Sequence, residues 1–136
     1  MKRNATAVWQ GTGKEGKGHL TTQSTTLDKT QYSFKSRFEE GIGTNPEELV
    51  AAAHAGCFTM KLSFILQEGS FTADSIETKC DIDFVDGAIV SSHLTVNATI
   101  PNITKEQFDA AVTNAKENCP ISKLYNTKIT AEAILA

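Results

Sequence analysis

The sequence predicts an α+β domain, and three observations carry that prediction. Strand-like segments fill the first third of the chain and return at its end. A long apolar helix opens at Asn45-Pro46, and two further strand-like segments turn at Asp86-Gly87. The order of strands, long helix, hairpin, helix and strand lacks the strand–helix alternation of a parallel α/β fold.

The elements follow in order. Ala5 to Trp9 reads as a first strand, and His19 to Leu27 alternates weakly after a glycine-rich stretch, Gly11 to Gly18. That stretch spells Gly-x-Gly-x-x-Gly, but a dinucleotide site needs the motif between a strand and a helix. Here a strand-like segment follows, so the glycines read as a hairpin loop. Tyr32, Phe34, Ser36 and Phe38 then alternate as one face of a strand, which places Arg37 on the opposite face. The first helix has Asn45 as N-cap, Pro46 at its first position and Glu48 in a capping-box-like place. It runs to about Glu68, where Gly69 stops it. A hairpin follows, roughly Phe71 to Val85 and Ala88 to Ile100, with Asp86-Gly87 as a type I′ turn. Ile76, Cys80, Ile82 and Phe84 share one face of its first strand; Leu94, Val96, Ala98 and Ile100 share one face of the second. Thr104 and Gln107 form a second capping box. Behind it Phe108, Ala111, Val112, Ala115 and Cys119 make a helical stripe, which Pro120 ends. A short turn leads to a last strand from about Lys128 to Leu135.

Composition narrows the function classes. With 136 residues, 40% hydrophobic and 21% charged, the chain reads as one globular domain, 1–136. Its net charge of −3 contains no run of like charges, which argues against nucleic acid or an anionic membrane surface as partner. Three cysteines make no disulfide scaffold, and the odd count suits a reducing compartment. The N-terminus has no apolar run behind its basic residues, so the expectation is a cytoplasmic protein without a signal peptide. Leu49 to Leu66 approaches the length of a bilayer span. It carries His54, Thr59, Lys61 and Ser63 near its middle, however, and reads as a buried central helix. A domain this small has difficulty covering such a helix on every side, so strands or a partner subunit must wrap it. The second option points to a dimer.

The residues that could carry chemistry are the cysteines. Cys57 lies mid-helix and alone reads as core; Cys119 lies at a helix end and alone is ambiguous. Cys80 reads as a small buried hydrophobe. Cys57 and Cys119 point inward from helices that must pack together, and a disulfide can close if their Cα atoms come within about 7 Å. A zinc site of His54, Cys57 and Cys119 is the alternative, but the paired short spacings of such sites are missing. His54 reads as a hydrogen-bonded core or interface histidine. A nucleophilic Cys57 would have to ionise far from its helix N-terminus and against the effect of burial. Arg37 is the candidate cation; its other reading is a solvated strand arginine. Glu47 and Glu48 suit the helix dipole. Glu47 also precedes Cys57 by roughly 15 Å along one helix, so it can meet only a Cys57 on a second, crossing helix.

Two stretches carry a family resemblance. The run Tyr32-Ser-Phe-Lys-Ser-Arg37-Phe, followed by Gly43-Thr-Asn-Pro-Glu-Glu-Leu-Val-Ala-Ala-Ala-His-Ala-Gly-Cys57-Phe, resembles the signature of the OsmC/Ohr proteins. These are the osmotically inducible protein C and organic hydroperoxide resistance proteins. Asn118-Cys119-Pro-Ile-Ser resembles their second cysteine motif, and the place of Arg37 is closer to the OsmC branch. The resemblance implies an intertwined homodimer in which antiparallel sheets wrap two long central helices. It implies a peroxidatic Cys57, a resolving Cys119, and an Arg37–Glu47 pair at a site on the dimer interface. It further implies a thiol peroxidase that reduces organic hydroperoxides, and hydrogen peroxide less well, with no metal or organic cofactor. The reductant would be an external dithiol, of lipoyl type in the Ohr branch. Phe38, Phe58 and Met60 would favour organic substrates. A non-enzymatic redox sensor or stress-linked binding protein of the same fold is the alternative.

Overall fold

A computed structural model describes all residues, 1–136, as two compact units, Met1–Leu49 and Val50–Ala136. The first contains an antiparallel sheet in the order β1 (Ala5–Gln10), β2 (Lys17–Thr22), β3 (Thr30–Tyr32). The glycine-rich stretch is the β1–β2 hairpin loop. Gly18 lies opposite Trp9 on one side and Tyr32 on the other. A Cβ there would come within 2.5 Å of the Trp9 ring and 2.6 Å of the Tyr32 ring. Only glycine lets the two rings close over the middle strand, with centroids 5.3 Å apart.

The strand expected over Tyr32 to Phe38 stops at Tyr32; Phe34–Phe38 is instead a short helix, α1. Ser33 and Ser36 cause the change. The Ser36 N–H donates to Ser33 Oγ at 3.1 Å and the Ser33 N–H donates to Ser36 Oγ at 2.8 Å, a reciprocal cap. Phe34 and Phe38 fit either reading, because four residues apart they share a strand face and also a helix face. Their rings pack with centroids 4.9 Å apart. Arg37 is therefore a helical residue, not a strand residue.

Helix α2 spans Pro46–Glu68, as its caps predict. Asn45 Oδ1 accepts from the Glu48 N–H at 2.8 Å, but the Glu48 carboxylate takes the Thr44 hydroxyl instead of closing the box. By length and hydropathy, 1.6 over its apolar window, this helix could cross a membrane. Yet His54, Phe58, Leu62 and Leu66 are buried in the protein at four-residue spacing, a stripe that faces a core.

In the second unit β4 (Ser75–Val85) and β5 (Ala88–Thr99) form the expected hairpin. Asp86 and Gly87 both have positive φ, 49° and 82°, as a type I′ turn requires. Helix α3 (Lys105–Asn118) has the Thr104–Gln107 capping box. After it come a short helix, α4 (Pro120–Leu124), where only a turn was expected, and β6 (Lys128–Leu135). β6 pairs parallel to β5, so this sheet is mixed rather than antiparallel throughout. The reason is topological: α3 and α4 carry the chain back across the sheet, and a crossover returns the strand in its original direction. Phe58 and Leu62 of α2, Leu94 and Val96 of β5, and Phe108 and Ala115 of α3 have no exposed surface and form the centre of the core. The opposite face of α2 is open. Ala52, Ala53 and Gly56 lie on it, with Met60 64% and Phe64 56% exposed.

Candidate active site

Cys119 closes α3 and opens α4, accepting the Ser122 N–H on its sulfur at 3.3 Å. Pro120, at the first position of α4, has no N–H to place. The next two amides lack intrahelical partners, as first-turn amides do. Ser122 gives its amide to Cys119, and the Ile121 amide acts on the thiol of Cys57 by favouring its ionised form. The bend at Pro120 thus lets two successive backbone amides act on two sulfurs. Cys57 packs on the core cluster that contains Cys119. All three cysteines are free thiols. Burial is the largest influence on Cys57 and pushes it above its ordinary value; the neighbouring Cys119 thiol adds to the rise, and the Ile121 N–H opposes it.

His54, one turn before Cys57, is wholly buried, and serines engage both of its ring nitrogens. Nδ1 lies 2.6 Å from Ser92 Oγ and Nε2 lies 2.8 Å from Ser122 Oγ. Burial lowers its pKa. The ring is edge-on to Tyr125, whose hydroxyl donates to the Val50 carbonyl at 2.7 Å. Burial foremost, with the three cysteines adding, pushes that phenol up to about 12. With its nitrogens so engaged, His54 does not join the cysteines as a ligand set, and no three metal-ligating side chains converge anywhere in the chain. Cys80 is half-buried on β4 with its sulfur 3.2 Å from Ser92 Oγ, so it is a polar neighbour as well as a packing residue.

The second predicted pair also assembles, within Met1–Leu49. Arg37 grips Glu47 with Nε at 3.0 and 3.2 Å from the two carboxylate oxygens and a terminal nitrogen at 2.7 Å. Such fork geometry fixes a guanidinium in direction as well as position. It is held by the α1–α2 corner, where Ser36 Oγ donates to the Thr44 carbonyl at 2.8 Å and Asn45 Nδ2 donates to the Ser36 carbonyl at 3.1 Å. Burial would raise the Glu47 pKa, but the Arg37 hydrogen bonds and charge outweigh it and hold it below the ordinary value. The Glu47 hydrogen bond in turn raises Arg37. The guanidinium stands 5.0 Å from the Phe38 ring centroid. Around it, Trp9, Tyr32, Phe34 and Phe38 line a cavity of about 250 Å³.

The sequence predicted both pairs but not their surroundings. Trp9, Ser92, Ser122 and Tyr125 carry no periodic signal that marks them, and the aromatic lining of the Arg37 cavity was legible only as strand alternation. Of the three apolar residues expected near the substrate, Phe38 lines that cavity; Phe58 is fully buried in the core and is not available to a substrate.

Comparison with known proteins finds relatives by sequence and by fold. The sequence profile of the OsmC-like protein family matches residues 39–133. Peroxiredoxin OsmC of Escherichia coli K12 is 42% identical over 136 residues, covering 97% of this chain and 95% of the relative. Organic hydroperoxide resistance protein OhrB of Bacillus subtilis is 34% identical over 110 residues, 78% of this chain and 79% of that one. An OsmC-like protein from Mycoplasma pneumoniae, 12% identical, superposes with a TM-score of 0.79 over 100% of this chain and 98% of its own, and shows the fold alone.

Proposed function

The chain belongs to the OsmC-like protein family, and on that premise we propose that it is a cysteine-based peroxidase that reduces organic hydroperoxides. The observation that supports the reading is that Cys57 packs against the cluster holding Cys119 and that the neighbouring Cys119 thiol acts on its ionisation. The Cys57 thiolate attacks the distal peroxide oxygen; the O–O bond breaks, the sulfur becomes a sulfenic acid and the departing alkoxide takes a proton from solvent to leave as the alcohol. Cys119 then forms an S–S bond to Cys57 and the sulfenic oxygen departs as water, before further oxidation. An external dithiol, of lipoyl type, reduces the disulfide and is itself oxidised to a disulfide. These steps call for no metal or organic cofactor.

Arg37 supplies the charge that Cys57 lacks and orients the peroxide, and Glu47 holds the guanidinium. We place these two residues on the partner subunit of a homodimer. Three facts support this. The open face of α2 exposes Met60 and Phe64 beside small residues. Along α2, Glu47 and Cys57 are roughly 15 Å apart. Burial holds the Cys57 thiol above its ordinary value, so a reactive thiolate there calls for a cation. The aromatic cavity around Arg37 favours organic over hydrogen peroxide. Three free thiols suit a cytoplasmic enzyme, and the whole chain is read as one OsmC-like domain.

The test is peroxide consumption, comparing cumene hydroperoxide with hydrogen peroxide and using dihydrolipoamide, thioredoxin and monothiols in turn. Catalytic turnover with a dithiol and a preference for cumene hydroperoxide is expected. A single round of oxidation without turnover would assign the protein to the redox sensors instead.

A further inference from the structure

The site contains an unbroken chain of hydrogen bonds, buried except at its half-buried Cys80 end, that the peroxidase reading does not use. Cys119 Sγ lies 3.1 Å from Ser122 Oγ, Ser122 Oγ 2.8 Å from His54 Nε2, His54 Nδ1 2.6 Å from Ser92 Oγ, and Ser92 Oγ 3.2 Å from Cys80 Sγ. His54 and Ser92 are fully buried and Ser122 nearly so. Water therefore does not compete for the contacts from Cys119 through Ser122 and His54 to Ser92.

We propose that Ser122 is a catalytic residue of the disulfide-forming step, passing the proton of Cys119 to His54. The proposal rests on the assignment of Cys119 as the resolving thiol. When Cys119 attacks the sulfenic acid of Cys57 it must lose its proton. Ser122 Oγ accepts that proton and gives its own to His54 Nε2. For Nε2 to accept, Nδ1 must carry the hydrogen and donate it to Ser92 Oγ, whose hydroxyl hydrogen turns to Cys80 Sγ. His54 is thus a positioning residue that acts through Ser122, and Cys80 anchors the far end. As the S–S bond forms and the sulfenic S–O bond breaks, the departing hydroxide takes a proton from solvent and leaves as water, while the Cys119 proton rests on His54. Atoms and charge balance with that one solvent proton. With every hydrogen bond reversed, the same chain returns a proton to Cys119 when the dithiol reduces the disulfide.

The surroundings of the imidazole suit this role. The titratable groups around it are Cys80 on β4, Cys119 and Tyr125 at the two ends of α4, and Cys57 one turn along α2. No carboxylate is bonded to the ring, and burial keeps it neutral at pH 7. A neutral ring accepts a proton; an imidazolium does not.

The experiment is single-turnover oxidation of the reduced protein by cumene hydroperoxide, with dimedone present to capture sulfenic acid, from pH 5 to 8. Ser122→Ala keeps the amide that reaches Cys119 and removes only the hydroxyl. It is expected to slow disulfide formation about 10²-fold at pH 7 and to raise the trapped fraction accordingly. His54→Gln is expected to abolish the fall in disulfide rate that wild type shows as the ring protonates below pH 6.5. Ser122→Thr, which keeps a hydroxyl, is expected to restore most of the rate. An unchanged rate and pH profile in both Ser122→Ala and His54→Gln would overturn the relay, as would a threonine variant no better than alanine. Cys119→Ser separates the two failures. If it blocks the disulfide while Ser122→Ala does not slow it, only the relay falls. If it forms the Cys57 disulfide at the wild-type rate, the resolving role falls and takes the relay with it.

Discussion

Replacing Arg37 with alanine should disable the first chemical step while leaving the core of the second unit untouched, because that core contains no part of α1. The magnitude follows from the surroundings of Cys57. Burial first, then Cys119, holds its thiol above the ordinary 9.0. Without an added cation, fewer than about one thiol in a hundred is ionised at pH 7. A cation at about 4–6 Å favours the charged form by about 1–3 pKa units. Arg37→Ala should therefore lower the peroxide reaction rate at pH 7 by about 10- to 10³-fold. The sign of the pH effect is fixed as well. The loss shrinks as the pH rises past 9, where the thiol ionises unaided. Arg37→Lys keeps the charge but not the two-pronged grip on Glu47, and should fall between wild type and alanine. Stopped-flow oxidation by cumene hydroperoxide, with ultraviolet thiolate absorbance recorded against pH, measures both quantities. An Arg37→Ala protein with the wild-type rate at pH 7 and an unshifted thiol titration would remove Arg37 from the mechanism.

Three further outcomes are expected. Cys119→Ser should accumulate Cys57 sulfenic acid and, under excess peroxide, sulfinic acid by mass spectrometry; clean recycling by a dithiol would speak against the resolving role. Phe64→Ala should weaken dimerisation roughly 30-fold by sedimentation. About half of that ring is open, covering it is worth about 1 kcal/mol per copy, and two copies are lost; a wild-type monomer at assay concentration would exclude the dimer. His54 should make the fold acid-sensitive. Its unfolded ring takes up a proton near 6.5 while the folded ring, with its pKa lowered by burial, resists, so stability drops as the pH falls through 6.5 and on to the lowered value. Urea unfolding of His54→Asn across this range should lack that part of the pH slope, and equal slopes in the two proteins would contradict it.

Some of this structure was legible in the residues alone, and the exceptions have physical causes. The ends of α2, the α3 cap and the Asp86-Gly87 turn were legible because caps and turns are local hydrogen-bond and φ requirements. The stretch Tyr32 to Phe38 misled because two phenylalanines four apart satisfy strand and helix alike, and the Ser33–Ser36 cap decides between them. The parallel β5–β6 pairing depends on how the chain crosses the sheet, which no local pattern records. The cysteine and Arg–Glu pairs stood out through motif spacing, whereas Ser92, Ser122 and Tyr125 reach His54 from distant parts of the chain. Their role is a matter of tertiary geometry.

The central claim is that Cys57 is oxidised first and Cys119 closes on it. Peptide mass spectrometry of the reduced protein after one equivalent of cumene hydroperoxide tests it most directly. One product is expected, a Cys57–Cys119 disulfide, with Cys80 still a free thiol. A Cys57–Cys80 bridge as the main product, or a protein with all three thiols still reduced, would contradict it.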